Sequence, residues 1–520
     1  MNQSGGKYKW TTFIHNGVMF PPEYEYKHVP LEYLGKKVFL DKKNEEYAFL
    51  YAKYIKSDYV LDKTFNKNFW KDWKKSLGSK HEIKSLEGCN FTLMYDYLIT
   101  NKKKVLVDKE LEQKYKVAVV NGKEQNVGNF KIEPPGIFLG RGKNPKLGKI
   151  KKRIYPEDII LNIGKDSDIP TPLEGHKWKQ VIHDRTVEWL ASWKDTITGK
   201  TKYVWLASNS DFKAQSDKEK FNLAKKLKRK IKRIREENDK NLHSDNKKTR
   251  QIATCFYFVD KLALRVGNEK SKDEADTVGV TSLRVEHITI SSDNIIILDF
   301  LGKDSVRYQN KIKVDSIIFN NLKDFVTNKS KHDNLFNLVS SNDLNKYLQG
   351  FMKDLTAKVF RTYNASYLFQ KELKKITNKY LDKGVKKSII LDEFNKANAK
   401  VAVIMNHQKN IAKGYKDQLD RINESIKKVR SQLRKARKAK KKNCSKIDML
   451  ELKLKEKKSK KDVKMQLKNI SLDTSKANYI DPRIAIAFLK IHDIPFDKVY
   501  SSTLRDKFKW SFDVDVNFKF

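Results

Sequence analysis

The sequence predicts an α+β protein of several domains: a mixed first part, a mainly helical second part, a helical hairpin and a small helical C-terminal domain. Strand-like runs and loops with most of the prolines alternate up to about residue 210, and helical periodicity dominates from 211 to about 410. A lysine-dense stretch without proline follows, to about 470. A chain of 520 residues can form several domains that each bury a core.

The first part is predicted to combine short strands with a few helices. Its clearest helical pattern covers residues 44–56, and aromatic residues at near-helical spacing follow within 65–73. That spacing favours core packing over base stacking. The Pro/Gly-rich stretch 131–143 predicts a loop that carries Arg141, whose guanidinium group could bind a phosphate or a base edge. Ordinary surface loops have a similar composition.

The second part is predicted to be helical around one β-hairpin. Residues 221–234 form a basic amphipathic pattern, and its Lys/Arg run at 225–230 fits a nuclear-import signal, a phosphate-facing side or a solvated helix face. An apolar helix is predicted over 252–264, ending near Gly267. Residues 294–314 predict a hairpin that turns at 302–304.

Residues 411–470 predict two antiparallel helices that form a protruding coiled-coil hairpin. Apolar residues alternate by three and four between Leu419 and Leu433, and a second apolar pattern runs from Ile447 to Leu454. The alternative is a disordered basic linker, which the apolar seam argues against. The segment from 471 to 520 has a core-like composition again.

The charge of the chain predicts a polyanionic partner. Lys and Arg number 109 against 64 Asp and Glu, a formal net charge of +45. Nucleic acid is the natural partner for such an excess, with an anionic membrane as the competing one. No apolar run is long enough to span a bilayer. Three widely spaced cysteines suggest neither a disulfide framework nor a zinc site and fit a reducing compartment.

Five residues in order along the chain predict phosphodiester chemistry: Arg265, Lys303, Arg361, His407 and Tyr479. The sequence has no convincing acidic cluster for magnesium, so protein cations would neutralise the phosphate. Arginines and a histidine can hold its non-bridging oxygens, and a lysine can protonate the leaving oxygen. A tyrosine can form a covalent phosphoester that stores the bond energy, so that resealing needs no ATP.

Each of these residues also has a simpler interpretation. Arg265 could cap the apolar helix or pair with Glu269, and Lys303 could be an ordinary turn lysine. Arg361 could pair with a buried acid, and His407 could cap the end of a helix. The order and the local contexts of the whole set are more specific than any single member.

The local contexts resemble the eukaryotic-type DNA topoisomerase IB family, from about residue 9 to residue 520. The strings that carry the resemblance are long enough to make chance similarity very improbable. They are Phe130-Lys-Ile-Glu-Pro-Pro-Gly136, Gly175-His-Lys-Trp178, Asp260-Lys-Leu-Ala-Leu-Arg-Val-Gly-Asn-Glu-Lys270, Asp276-Thr-Val-Gly279, Ser282-Leu-Arg-Val-Glu-His287, Phe300-Leu-Gly-Lys-Asp-Ser305, Thr356-Ala-Lys-Val-Phe-Arg-Thr-Tyr-Asn-Ala-Ser366, Asn406-His-Gln408 and Asn478-Tyr-Ile-Asp-Pro-Arg483.

The resemblance implies a role for each of the five residues. Tyr479 would attack a DNA phosphate to give a 3′-phosphotyrosyl bond and a free 5′-hydroxyl. Arg265, Arg361 and His407 would stabilise the transition state, and Lys303 would protonate the departing 5′-oxygen from the minor groove. The cut strand would then swivel about the intact one and be resealed, which relaxes supercoils of either sign without ATP or an essential metal.

The family resemblance also implies a clamp fold around double-stranded DNA, with these boundaries: core subdomain I at 1–26 and 98–210, core subdomain II at 27–97, the catalytic core subdomain III at 211–410, the coiled-coil linker at 411–470 and the C-terminal domain at 471–520. Subdomains I and II would form a cap above the duplex, and subdomain III a lobe of the tyrosine recombinase/topoisomerase IB type below it. The protein would act in the nucleus as a monomer. Compared with the family, the N-terminal extension and the linker look short here.

Two further sets of residues follow from the resemblance. Arg141, Asp304 and Asn478 match positions that line the pocket for camptothecin-class inhibitors beside the cleaved phosphate. Lys146 and the acidic pair Asp273-Glu274 are candidates for the lips that close the clamp, although the sequence departs from the family pattern there.

Two other functions remain open from the sequence. A tyrosine recombinase has the same order of catalytic residues, but its second arginine usually lies in a His-x-x-Arg motif, where this chain has Lys358. Recombinases also lack so long a basic hairpin before the tyrosine. The second alternative is a non-enzymatic architectural DNA-binding protein, which the charge alone would permit.

Overall fold

The computed structural model describes residues 8–101, 108–268, 275–381, 384–409, 411–439 and 444–520. These residues divide into two compact units. The first unit comprises the described residues up to 215 together with 275–276, and the second comprises 216–268 and the described residues from 277 to 520. Within these ranges, no helix combines the length and the apolar character that crossing a membrane requires.

The first unit combines short strands with four helices among its described residues. Its elements are β1 (Phe13–His15), β2 (Leu31–Tyr33), β3 (Lys36–Val38), α1 (Lys42–Ala52), α2 (Lys63–Leu77), β4 (Cys89–Asn90), α3 (Thr92–Thr100), α4 (Lys109–Lys116), β5 (Val117–Val120), β6 (Lys123–Asn126), β7 (Gly136–Ile137), β8 (Ile150–Lys151), β9 (Ile160–Asn162), β10 (Gln180–Ile182), β11 (Trp189–Lys194) and β12 (Thr201–Trp205). The strands form sheets in the orders β1-β5-β6, β3-β2-β4, β7-β8 and β10-β9-β11-β12.

Helix α2 shows how aromatic residues build one of the two cores of this unit. Phe65, Phe69 and Trp73 are fully buried on one face of the helix, so the prediction of core packing is confirmed. Asp62 caps the helix by accepting hydrogen bonds from two backbone N–H groups. The amide of Asn68 donates to the carbonyl oxygens of Pro145 and Leu147, at 2.8 and 2.7 Å. These bonds anchor the loop that follows Arg141.

The second unit is mainly helical around one three-stranded sheet. Its elements are α5 (Asp211–Leu242, which begins in the last residues of the first unit), α6 (Lys247–Lys261), β13 (Ile288–Ile290), β14 (Ile295–Leu301), β15 (Arg307–Lys313), α7 (Ser316–Val326), α8 (Ser341–Gln349), α9 (Ala357–Tyr380), α10 (Lys387–Ile404), α11 (Tyr415–Lys438), α12 (Cys444–Gln466), α13 (Leu472–Asn478), α14 (Pro482–Ile491) and α15 (Ser502–Lys507). The sheet has the order β13-β14-β15.

Two predicted elements of this unit are present, but one ends earlier than predicted and the other gains a strand. The apolar helix, predicted over 252–264, is α6 and ends at Lys261. Asn246 caps its start, and the positive φ of 50° at Ala263 takes the chain out of the helical region after its end. The predicted β-hairpin is present as β14 and β15, and β13 extends it to a third strand that the sequence did not indicate.

The helices α11 and α12 lie side by side and run antiparallel. Arg437 pairs with Glu451 near one end, and Lys464 donates to Gln418 near the other. Val429, Leu433 and Leu450 are buried in the seam between them. The hairpin does not protrude along its whole length, because α12 also packs on α10. There the carboxylate of Glu456 accepts from the hydroxyl of Ser388 at 3.0 Å and pairs with Lys386 at 3.2 Å.

Candidate active site

Tyr479 lies at the junction of two helices of the second unit. It is the residue that ends α13, and Asp481 and Pro482 start α14 immediately after it. Asp is a favoured N-cap, and Pro fits the first helical position because its missing N–H has no helical partner there. The hydroxyl of Ser366 in α9 donates to the carbonyl oxygen of Tyr479 at 3.1 Å and accepts from the N–H of Asp481 at 2.9 Å. The backbone of the tyrosine is therefore fixed on both sides.

Arg361 contacts the face of the Tyr479 ring. It lies in the first turns of α9 with 4% of its surface exposed, and its guanidinium carbon is 4.9 Å from the ring centroid. The guanidinium group donates to the carbonyl oxygens of Ala263 and Met405. Neither partner is a carboxylate, and within the part of the chain that the structure describes no buried acid pairs with Arg361. Its positive charge is not neutralised by these bonds.

Arg265 is positioned by a close contact between two glycines. It follows α6 in an extended segment, and its carbonyl oxygen accepts from the N–H of Val280 at 2.9 Å. A Cβ atom on Gly279 would lie 2.5 Å from the Cα of Gly267, so only glycine allows this approach. The helix ends at Lys261, so Arg265 does not cap it. Its predicted alternative partner Glu269 lies outside the described residues.

His407 follows α10 through a tight helix end. Asn406 has a positive φ of 53°, and the N–H groups of Asn406 and His407 donate back to the carbonyl oxygens of Val403 and Ala402. This is the Schellman pattern, in which the αL residue is Gly or Asn. The imidazole ring is then buried, with its centroid 5.3 Å from that of Tyr479. Its Nδ1 atom is 2.7 Å from the hydroxyl of Ser475, and Nε2 has no hydrogen-bond partner among the described residues.

Lys303 lies at the tip of the β14–β15 hairpin, where the sequence predicts it. The turn of residues Lys303–Ser305 is exposed or half-buried, and Asp304 and Ser305 have positive φ angles of 66° and 58°. Lys303 lines a cavity of about 140 Å³ together with Arg265, Arg361 and His407. The structure thus brings the four predicted partners of Tyr479 to one cavity, and two of them, Arg361 and His407, contact the Tyr479 ring.

The pKa shifts at this site follow from burial and from two guanidinium groups. Burial alone raises the pKa of Tyr479, but the charges and hydrogen bonds of Arg361 and Arg265 outweigh it and lower the pKa below its ordinary value. Burial, with the charges of Arg361 and Arg265, lowers the pKa of His407 to about 3. The two guanidinium groups therefore stabilise the phenolate form of Tyr479 relative to a free tyrosine, and they help to keep the imidazole of His407 neutral.

The remaining predicted residues lie in both units. Asp304 lines the same cavity as Lys303, and Asn478 is exposed and donates to the carbonyl oxygen of Thr474 at 3.1 Å. Arg141 and Lys146 belong to the first unit, where Arg141 is exposed and the backbone N–H of Lys146 donates to Asn144. Glu274 and its neighbour Asp273 lie outside the described residues.

Sequence reasoning missed two serines of the site. Ser475 contacts His407, and Ser366 bridges the backbone on both sides of Ile480. A signal was present for Ser475, because it precedes Tyr479 by four residues in a helical segment and therefore shares its face. No local signal marks Ser366. Among the described residues, no group of His, Cys, Asp and Glu side chains could hold a metal ion.

Comparisons with known proteins identify relatives along the whole chain. Residues 8–206 match the family model for the DNA binding fragment of eukaryotic DNA topoisomerase I, residues 209–440 match the catalytic core of eukaryotic DNA topoisomerase I, and residues 451–520 match a C-terminal topoisomerase domain. The chain is 41% identical to DNA topoisomerase 1 beta of Arabidopsis thaliana, an alignment that covers 99% of this chain and 60% of that protein.

Two animal relatives are similar to the same extent. Identity to DNA topoisomerase 1 of Caenorhabditis elegans is 41%, over 97% of this chain and 67% of that protein. Identity to DNA topoisomerase 1 of Homo sapiens is 39%, over 98% of this chain and 72% of that protein. The chain thus spans about 60% of the length of the Arabidopsis relative.

Proposed function

The chain belongs to the eukaryotic DNA topoisomerase I family, and on this premise we propose that it is a type IB DNA topoisomerase. It cuts one strand of duplex DNA through a covalent phosphotyrosine, lets the strand swivel and reseals it. The observation that carries the proposal is the environment of Tyr479, whose ring contacts the guanidinium group of Arg361 and the imidazole of His407.

In the cleavage step, the phenolate oxygen of Tyr479 forms a bond to phosphorus while the bond from phosphorus to the 5′-oxygen breaks. The lowered pKa of Tyr479 supports this role, because the phenol gives its proton to water more readily than a free tyrosine does. The products are a 3′-phosphotyrosyl ester and a free 5′-end. The energy of the broken bond is kept in the new ester, so the reaction is reversible without ATP.

Arg265, Arg361 and His407 stabilise the charge on the non-bridging oxygens in the transition state. The guanidinium group of Arg361 is held by two backbone carbonyls, so it does not have to reorganise during the reaction. The backbone of Arg265 is fixed by its pairing with Val280. His407 is neutral because its pKa is about 3, so it contributes a hydrogen bond rather than a charge. Its Nε2 atom, which has no hydrogen-bond partner in the described part of the chain, is the group available for that bond.

Lys303 acts as the general acid. It gives its proton to the 5′-oxygen as that oxygen leaves phosphorus, and it takes the proton back when the 5′-hydroxyl attacks the phosphotyrosine. Its exposed position on a hairpin tip beside the cavity supports this role, because the side chain can reach outward to a bound strand. Proton and bond changes in religation are the reverse of those in cleavage.

The remaining parts of the proposal concern the whole enzyme. It acts in the nucleus as a monomer that clamps duplex DNA, and relaxes positive and negative supercoils without ATP or an essential metal. Arg141, Asp304 and Asn478 bind camptothecin-class inhibitors in the cleaved complex, and Lys146 and Glu274 form the clamp lips. The net charge of +45 supports duplex DNA as the partner.

Relaxation of supercoiled plasmid with EDTA and without ATP tests the proposed activity, with Tyr479→Phe as the matched control because it removes only the hydroxyl oxygen. We expect relaxation by the wild type and none by the variant, since the variant has no nucleophile. Equal relaxation by both proteins would show that Tyr479 is not the nucleophile. Binding without relaxation by either protein would favour an architectural role. Synapsis of two duplexes at a defined site would favour a recombinase.

A further inference from the structure

The contact between Ser475 and His407 determines which ring nitrogen can carry the proton. Both residues are buried, with 0% and 5% of their surface exposed, and the Ser475 hydroxyl oxygen is 2.7 Å from Nδ1 of His407. No other hydrogen bond of this hydroxyl occurs among the described residues. A buried hydroxyl proton needs an acceptor, and Nδ1 is the acceptor within hydrogen-bond distance among the described residues. A nitrogen that accepts a hydrogen bond has a lone pair and no proton.

We propose that Ser475 is a positioning residue that holds His407 in the tautomer with the proton on Nε2. The inference rests on the proposed function, because it states how the site presents a donor to the phosphate. In the other tautomer, the lone pair of Nε2 would face an anionic oxygen of the phosphate, and the two would repel each other. Two features of the geometry support this role: Nδ1 pairs with the serine on one side of the ring, and Nε2 on the other side has no hydrogen-bond partner among the described residues.

The position of the proton on the imidazole is important because the ring is neutral. Burial and the charges of Arg361 and Arg265 lower the pKa of His407 to about 3, so the ring is neutral at neutral pH and has one N–H. An imidazolium ion would have two N–H groups and would need no tautomer control. Among the described residues, the polar groups that act on the ring include these two guanidinium groups, the phenol of Tyr479 and the serine hydroxyl.

Ser475 also connects the histidine to the nucleophile. The N–H of Tyr479 donates to the carbonyl oxygen of Ser475 at 3.0 Å, so both residues belong to the same turn of chain at the end of α13. The N–H of Ser471, just before that helix, donates to the carbonyl oxygen of His407 at 2.9 Å. One short helix thus fixes the nucleophile, the orientation of the imidazole ring and its proton.

The test is the ¹⁵N NMR spectrum of the full chain labelled at histidine, with the His407 signals assigned by their loss in His407→Gln. We expect the wild type to show a protonated Nε2 and an unprotonated Nδ1. Ser475→Ala should give a mixture of tautomers, and Ser475→Thr, which keeps the hydroxyl, should restore the wild-type pattern. Ser511→Ala is the matched control, since Ser511 is also buried and donates only to the carbonyl oxygen of Phe508.

Single-turnover cleavage provides the second readout. We expect Ser475→Ala to cleave about tenfold more slowly with unchanged affinity for DNA, the size of effect that loss of one buried hydrogen bond produces. Ser475→Thr should recover most of the rate. A wild-type protein that cleaves DNA with the proton on Nδ1 would overturn the inference, and so would an unchanged tautomer and rate in Ser475→Ala. Absence of cleavage by the wild type would instead overturn the proposed function. The wild-type spectrum decides the tautomer even if Ser475→Ala does not fold.

Discussion

The cations around Tyr479 differ in how strongly the protein holds them. Arg361 is buried, donates to two carbonyl oxygens and has lost most of its hydration. Lys303 is exposed on a turn. A fixed buried charge stabilises a transition state without reorganising, whereas a proton donor must reach the departing oxygen. In the proposed mechanism, the residue-scale division is therefore between preorganised charge stabilisation by Arg361 and acid catalysis by the more mobile Lys303.

Replacing Lys303 should slow cleavage only because the departing 5′-oxygen is no longer protonated. We expect Lys303→Ala to cleave ordinary DNA about 100-fold more slowly, the usual contribution of a general acid. A substrate with sulfur in place of the bridging 5′-oxygen should restore most of the rate, because a thiolate leaves without a proton. Rapid-quench measurement of both substrates provides the comparison. Arg265→Ala is the control, since a better leaving group does not replace a lost phosphate contact. Equal defects on both substrates would exclude Lys303 as the acid.

At the scale of elements, helix ends and one turn present most of the site residues, and Arg361 comes from within α9. His407 is presented by the Schellman end of α10, Tyr479 by the junction of α13 and α14, and Lys303 by the β14–β15 turn. Helix ends leave backbone groups unpaired, so they fix the neighbouring chain through specific bonds. The α11–α12 hairpin, in contrast, is held by its apolar seam and by its contact with α10.

A charge in that seam should open the hairpin without removing the catalytic contacts. Leu450 is buried in the seam, and its neighbour Met449 on α12 is 58% exposed. Burial of an unpaired carboxylate is strongly unfavourable, so we expect Leu450→Asp to speed trypsin cleavage within residues 411–470 by about tenfold or more. Met449→Asp should leave that rate unchanged. DNA cleavage should persist in both variants, because the seam contributes nothing to the His407–Ser475 contact. Equal proteolysis of the two variants would show that the seam does not hold the hairpin.

For the whole molecule, the dominant physical property is the net charge of +45. Such a charge repels itself unless a polyanion is bound, and it attracts the DNA backbone at long range. Binding releases counterions from the DNA, so affinity depends steeply on salt and little on sequence.

The affinity of the Tyr479→Phe protein for duplex DNA should fall by about 10³-fold or more between about 50 and about 200 mM salt, as expected for six or more phosphate contacts. This variant is suitable because it binds without cutting. Fluorescence anisotropy over a salt series gives the slope of log affinity against log salt concentration. Adding Arg265→Ala to the Tyr479→Phe protein should reduce the magnitude of this slope by about one. A nearly flat salt dependence would contradict binding driven by the DNA backbone.

The sequence by itself determined the mixed α/β character and the main elements of the second unit, and it predicted five candidate site residues. Hydrophobic periodicity predicted the β14–β15 hairpin and the core-packed face of α2, because local pattern reflects which face is buried. The site residues came from ordered motifs and the family resemblance. Element ends were less accurate, as the end of α6 shows, because a tertiary contact of the following segment with residues 279–281 takes the chain out of the helix.

Only the tertiary structure decided how the site residues meet. Arg361 and His407 contact the same ring although 118 and 72 residues separate them from Tyr479 in the chain. The carbonyl partners of Arg361, the glycine contact that positions Arg265 and the serine that faces His407 all come from segments distant in sequence. Such contacts leave no signal in the local sequence. Every residue has a backbone carbonyl, and the sequence around a serine does not distinguish a site residue from an ordinary residue of a helix face. Burial and charge at these contacts set the pKa values of Tyr479 and His407, and they arise only when the chain is folded.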